Sequence, residues 1–211
     1  PKQRNLLFSL LKTEEEGDVL FELGEEIQQD LVSNISNEEL IEAVKELELD
    51  EIVDILQNLP EERMNNILSN MSLVDRKRIE IGLTFPDNTA GGLLNTDVIS
   101  VRPNNSINEV ISYLRDQSDL PENTDKIFVV NNENEYLGEL LISKIITSMP
   151  SMLVREIMDT EFLPIDADLD DKEVATIFER NDLISSSVVD KDGKLIGRIT
   201  IDDVVDVIRE D

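Results

Sequence analysis

The feature that most constrains this chain is a pattern that occurs twice in its second half. Asp97–Val101 corresponds to Glu161–Ile165, and Asn132–Gly138 corresponds to Lys191–Gly197. Each copy passes from a β-rich run to a helical run, then to two more β-rich runs joined by a polar turn, then to a final helix. The expected strands are 98–101, 127–130 and 136–141, with helices over 107–115 and from 142 onward. The separation between matched residues falls from 64 to 59, so the first copy carries about five extra residues near Ser118 to Asp125. Two β-α-β-β-α units in tandem predict a pseudo-symmetric pair packed sheet to sheet.

The first half follows a different grammar. From Asn37 a period of about twelve residues runs NEELIEAVKELE, LDEIVDILQNLP, EERMNNILSNMS, LVDRKRIEIGL. Each unit opens polar, places apolar residues at helical spacing and closes at a polar or proline break. Helices this short bury no face alone, so they are expected to stack as a small superhelix. Residues 1 to 37 also read as helical. The stretch Phe85-Pro86-Asp87-Asn88-Thr89-Ala90-Gly91-Gly92 ends the pattern and reads as a linker or boundary. The predicted fold class is α+β, with a helical domain over 1–90 and two repeats over 91–150 and 151–211.

The 47 Asp and Glu residues against 19 Lys and Arg give a net charge of −28. That charge repels phosphate backbones and anionic lipid, which excludes nucleic acid as a partner and makes cations the natural counter-charge. There is no cysteine and no histidine. Disulfides, thiol nucleophiles, the usual zinc sites and the commonest general base are absent with them. No Gly-rich phosphate loop and no nucleophile elbow is present, so no enzyme is expected. No apolar run approaches the ~20 residues that span a bilayer. Pro1 is not an ordinary start, so the chain reads as a soluble piece of a longer protein.

Near the end, Lys194-Leu195-Ile196-Gly197-Arg198-Ile199-Thr200 reads as a strand that turns directly into a helix. Thr200 is placed to cap it by accepting a backbone N–H, and Asp202 and Asp203 fall in the first turn, where negative charge is favoured. Asp203 and Asp206 lie three apart, so their carboxylates leave one side of the helix. Asp50 and Asp54, four apart, do the same in the first half. Such pairs suit a hard cation with oxygen ligands. In a chain this acidic, pairs at helical spacing also arise by chance as solvated faces.

The tandem units, with Asp-Lys-Asp-Gly-Lys-Leu-Ile-Gly-Arg-Ile-Thr-Ile-Asp-Asp at residues 190–203, resemble a pair of cystathionine-β-synthase (CBS) motifs. The order of acidic helical repeats, Phe-Pro-Asp-Asn-Thr-Ala-Gly-Gly, then this pair, is similar to the cytosolic half of MgtE-type magnesium transporters. The resemblance implies a regulatory region at the cytoplasmic face of the membrane, a homodimer through the CBS domains and a transmembrane domain after Asp211. It implies Mg2+ binding between the acidic domains, closing the pore. By position it carries metal ligation to Asp50, Asp54, Asp170, Asp182, Asp203, Asp206 and Asp211. Asn88 and Lys172 stand where the family usually has acids. The competing ligand is ATP or AMP: the CBS nucleotide pattern survives in the second copy as Gly197, Thr200 and Asp203, whereas Leu141 and Lys144 replace its last two residues in the first.

Overall fold

The computed structural model describes residues 7–8, 10–11, 16–17, 19–20, 23–44, 47, 49–117, 120–162 and 164–210; for Glu25, Glu26, Leu49, Asp50 and Glu210 only the backbone is described. The chain divides into two units, Pro1–Leu83 and Thr84–Asp211.

In the first unit each twelve-residue repeat forms one helix. After α1 (Glu25–Asn34) come α2 (Asn37–Ala43), α3 (Leu49–Gln57), α4 (Glu61–Ser69) and α5 (Leu73–Gly82). Helices of 7 to 10 residues are marginal alone, and tertiary burial holds them. Leu31, Leu40, Ile55, Leu56, Ile67 and Ile79 form the centre of that core. The polar openings act as caps. Ser36 accepts from the Glu39 N–H at 3.1 Å while Glu39 accepts from the Ser36 N–H at 2.8 Å, and Ser72 accepts from the Asp75 N–H. Pro60 stands at the N-cap of α4, where a missing N–H costs nothing. Gly82 lets α5 approach α3: a Cβ there would lie 2.8 Å from Val53 Cγ2. The Arg63 guanidinium ties α4 to the end of α1, donating to the carbonyls of Val32 and of Ile35 (2.6 Å) and to Asn37 Oδ1 (2.7 Å). A cation is favoured at this negative helix end.

The second unit holds two matching three-stranded sheets. In the first copy β1 (Ser100–Val101) pairs parallel with β2 (Lys126–Val130), which pairs antiparallel with β3 (Tyr136–Leu141). The second copy repeats this with β4 (Ile165–Asp166), β5 (Ser185–Val189) and β6 (Leu195–Thr200). Helices α6 (Ile107–Asp116) and α7 (Ile142–Thr147) belong to the first copy; α8 (Val154–Ile157) opens the second repeat but packs into the first copy's core, and α9 (Asp171–Asn181) and α10 (Ile201–Glu210) follow in the second. The register irregularity at Val129/Val130 recurs at Val188/Val189. Each hairpin turn is held by one side chain: Asn131 Oδ1 accepts from the N–H of Glu133 and Glu135, and Asp190 Oδ1 from those of Asp192 and Lys194.

The copies are interleaved. Asn95, ahead of the first copy, exchanges backbone bonds of 2.9 and 2.8 Å with Arg198 on β6; Asp159, ahead of the second, does the same with Glu139 on β3. Phe128, Val130 and Leu195 join the sheets in a shared apolar cluster with Tyr136 packed against it. The Phe85–Gly92 stretch is fastened to the second copy. The Ala90 N–H donates to Leu169 O (2.7 Å), the Gly91 N–H donates to Ala167 O (2.9 Å), and Ala90 and Leu94 enter that copy's core. The glycines permit this fold-back, since a Cβ at Gly91 would strike the Phe85 side chain and one at Gly92 would lie 2.4 Å from Asp87 O. A stretch with the composition of a spacer is thus part of a domain.

Candidate metal and nucleotide sites

Thr200 is the last residue of β6 and Ile201 the first of α10, so the strand hands its final side chain to the helix N-terminus. The bonds here run from Thr200 toward the carboxylates. Its N–H donates to Asp203 Oδ2 at 3.2 Å, and its hydroxyl donates to the same oxygen at 2.9 Å and to Asp202 Oδ1. The hydroxyl donates toward the two carboxylates at the dipole's positive end, the strongest acceptors within reach. Thr200 is only 4% exposed. Asp203 is half-buried.

Asp206, one turn on, is exposed and pairs with Arg209 Nη1 at 3.2 Å. A pair this open is weak, worth ~0–1 kcal/mol. Asp203 and Asp206 therefore supply two carboxylates on one side of a short rigid helix. Mg2+ commonly takes one or two carboxylates and keeps several waters, so this all-oxygen pair fits it in chemistry and in number.

The other predicted acids are dispersed. Asp170 is the N-cap of α9, accepting from the Lys172 N–H at 3.1 Å, and bridges to Thr89. Asp182 ends α9 in the left-handed region at φ 51°, with its carboxylate exposed. Asp54 is exposed on α3. The Asp50 side chain and Asp211 lie outside the described residues. Among the described residues no three carboxylates gather in a group able to hold a metal.

The sequence reading missed a polar layer between the sheets. Lys126 Nζ lies 3.0 Å from Glu139 Oε1, with both side chains almost fully buried, and lies 5.7 Å from the centre of the Phe162 ring. Burial raises the Glu139 carboxyl above its ordinary range, and Lys126 opposes that shift. Burial likewise pushes the Tyr136 phenol up to about 12. Arg198, 3% exposed, donates through Nη2 to Glu122 O at 2.7 Å and leaves its buried Nε without a partner. The signal available was the placement of Lys126, Glu139 and Arg198 inside strands whose other faces are apolar.

A family model of the MgtE intracellular N domain matches residues 1–88, and one of the CBS domain matches 90–151 and 154–210. The magnesium transporter MgtE of Bacillus subtilis is 26% identical over 207 residues, covering 98% of this chain and 46% of that protein. MgtE of Thermus thermophilus is 32% identical over 133 residues, covering 63% and 30%. The chain thus spans less than half the length of these curated relatives. Among solved structures, the cytosolic domain of the Mg2+ channel MgtE in complex with ATP matches with a TM-score of 0.88 at 29% identity, covering 98% of this chain and 84% of that one. The soluble part of a magnesium transporter matches with a TM-score of 0.85 at 25% identity, covering 99% and 82%.

Proposed function

The chain belongs to the CBS-domain family, with an MgtE intracellular N domain ahead of its CBS pair, and from that premise we propose that it is the cytosolic Mg2+-sensing region of a magnesium transporter. The observation that supports this reading is the Asp203–Asp206 pair on α10, two oxygen donors in a chain of net charge −28. Asp50 and Asp54 are its counterparts in the helical unit. Asp170, Asp182 and Asp211 are further cation-binding acids of the CBS pair.

Carboxylates about 4 Å apart repel by ~1 kcal/mol per pair in water and several times more when partly desolvated. Mg2+ reverses that sign. Ions held jointly by carboxylates of both units bind a compact state better than an extended one, and only such a difference in affinity shifts the populations. Several ions acting together make the response steep. In the full protein a membrane domain beyond α10 receives the shift, and the pore closes when magnesium is abundant. The working form is a homodimer through the CBS pair, to which Ile146 on α7 and Met149 just after it offer exposed apolar side chains.

Small-angle scattering in chelator and then in millimolar Mg2+, at matched ionic strength, tests the reading. A fall in the radius of gyration is expected; an unchanged radius refutes the ion-driven compaction.

The second reading is an adenine-nucleotide site, favoured by the ATP held in a related cytosolic domain and by the position of Thr200 and Asp203 at the end of β6. Titration calorimetry with ATP and AMP tests it directly.

A further inference from the structure

The five residues that the first copy has and the second lacks fall between α6 and β2. The segment just after those residues, Glu122–Asp125, has counterparts in the second copy at Asn181–Ile184, and it reaches across to the second copy. Glu122 O accepts from Arg198 Nη2 at 2.7 Å, Asn123 Nδ2 donates to Asp202 Oδ2 at 3.1 Å, and Asp125 Oδ1 accepts from the Ser185 hydroxyl. Asn123 adopts φ 53°, the same left-handed conformation as Asp182 (φ 51°) at the matching place in the second copy. There the chain goes straight from helix to strand.

Register fixes which surface this segment lies on. Ser185 stands opposite Thr200 in the β5–β6 ladder, and Ser187 opposite Arg198. Directly opposed residues share a face, and alternate residues of a strand return to it. Arg198, Thr200 and Ser185 therefore point to one side of the sheet, and Glu122–Asp125 is laid along that side. Thr200 on this side is 4% exposed. A ligand approaching the Thr200 hydroxyl from this side meets Glu122 and Asn123 first. Asn123 also holds Asp202, whose other oxygen is bonded to Thr200.

We propose that residues Glu122–Asp125 act as a built-in competitor for the second copy's nucleotide site, with Asn123 as the affinity-setting residue. This rests on the nucleotide reading of Thr200 and Asp203. An adenine nucleotide enters by displacing the segment, its ribose hydroxyls taking over carboxylate contacts that the segment's amide now satisfies. The buried and half-satisfied Arg198 guanidinium, released from Glu122 O, becomes available to the ligand's phosphate.

The test compares the unaltered chain with Asn123→Gly/Ser185→Ala, in which glycine keeps the left-handed backbone and both side-chain tethers are gone. Calorimetric titration with ATP and with AMP is expected to show about tenfold tighter binding in the variant, equivalent to ~1.4 kcal/mol. Hydrogen exchange of the 122–126 amides in the unaltered chain is expected to speed up on saturation with nucleotide. Equal affinity in both chains, with binding abolished by Thr200→Val, overturns the competitor and leaves the nucleotide reading intact. Slowed exchange at 122–126 on binding overturns it as well. Absence of binding to both chains at millimolar nucleotide removes the nucleotide reading and the competitor with it.

Discussion

Lys126 and Glu139 lie diagonally across the β2–β3 ladder with Nζ and Oε1 3.0 Å apart and side chains 5% and 6% exposed. Breaking a buried pair by removing one partner leaves the other charge stranded, at a cost of about 3–5 kcal/mol, more than an apolar replacement of both. Lys126→Met is expected to lower stability by that amount, and Lys126→Met/Glu139→Leu to recover much of it, both read from urea unfolding.

The same pair gives a pH dependence. The folded-state pKa of Glu139 is raised, so the folded chain holds that proton to a higher pH than the unfolded chain does. Stability from this group is fully present below the unfolded carboxyl pKa and is lost as pH rises through the folded one. In Lys126→Met the opposing cation is gone and the folded pKa climbs further. The penalty of the substitution is therefore expected to shrink steadily as pH falls from neutral into the carboxylate range. Denaturation midpoints of both chains across that window check it.

On α10 the two proposed ligands separate by structural role. Asp206→Asn removes one exposed carboxylate whose ion pair is worth ~0–1 kcal/mol, so Mg2+ affinity falls while the melting temperature barely moves. Asp203→Ala also strips the acceptor for the Thr200 N–H and loses about 1 kcal/mol as a lost cap. Magnesium calorimetry alongside thermal melts distinguishes the two.

Gly138→Ala places a methyl 2.3 Å from Asp159 O at φ +154°, in the seam where the two copies exchange backbone bonds. Strain of this kind costs ~1–3 kcal/mol. At Gly24 an added Cβ meets nothing within 4 Å, and alanine there is expected to leave the unfolding curve within ~0.5 kcal/mol of the parent.

Arg63→Met keeps the aliphatic stem and removes donors that satisfy Val32 O, Ile35 O and Asn37 Oδ1. Hydrogen bonds from a charged group contribute about 1.5–3 kcal/mol. The variant is expected to lose at least 2 kcal/mol, with reduced helical circular dichroism at lower urea than the parent.

Periodicity carried most of the architecture. The twelve-residue repeats became α2 to α5 because each has its own polar cap and apolar stripe. The tandem copies were legible because Asn131 and Asp190 organise the same turn from the same place. What escaped is what no local pattern encodes. Phe85–Gly92 has the composition of a spacer, yet its glycines serve close packing against Phe85 and Asp87. Glu139 and Arg198 look like surface residues of strands, and only the apposition of two sheets buries them. For the candidate ligands, spacing revealed that Asp203 and Asp206 share a side of α10; it could not reveal that Thr200 already binds Asp203, nor that Asn123 crosses from the other copy to Asp202.

The antiparallel exchange between Asn95 and Arg198 has a mechanical consequence. The chain enters the CBS pair alongside β6 and leaves it through the helix that β6 becomes. Tension applied ahead of Thr84 and tension applied past Ile208 therefore converge on one strand. A pull on either end reaches β6 first, and passes to the first copy through the strands that share its apolar cluster.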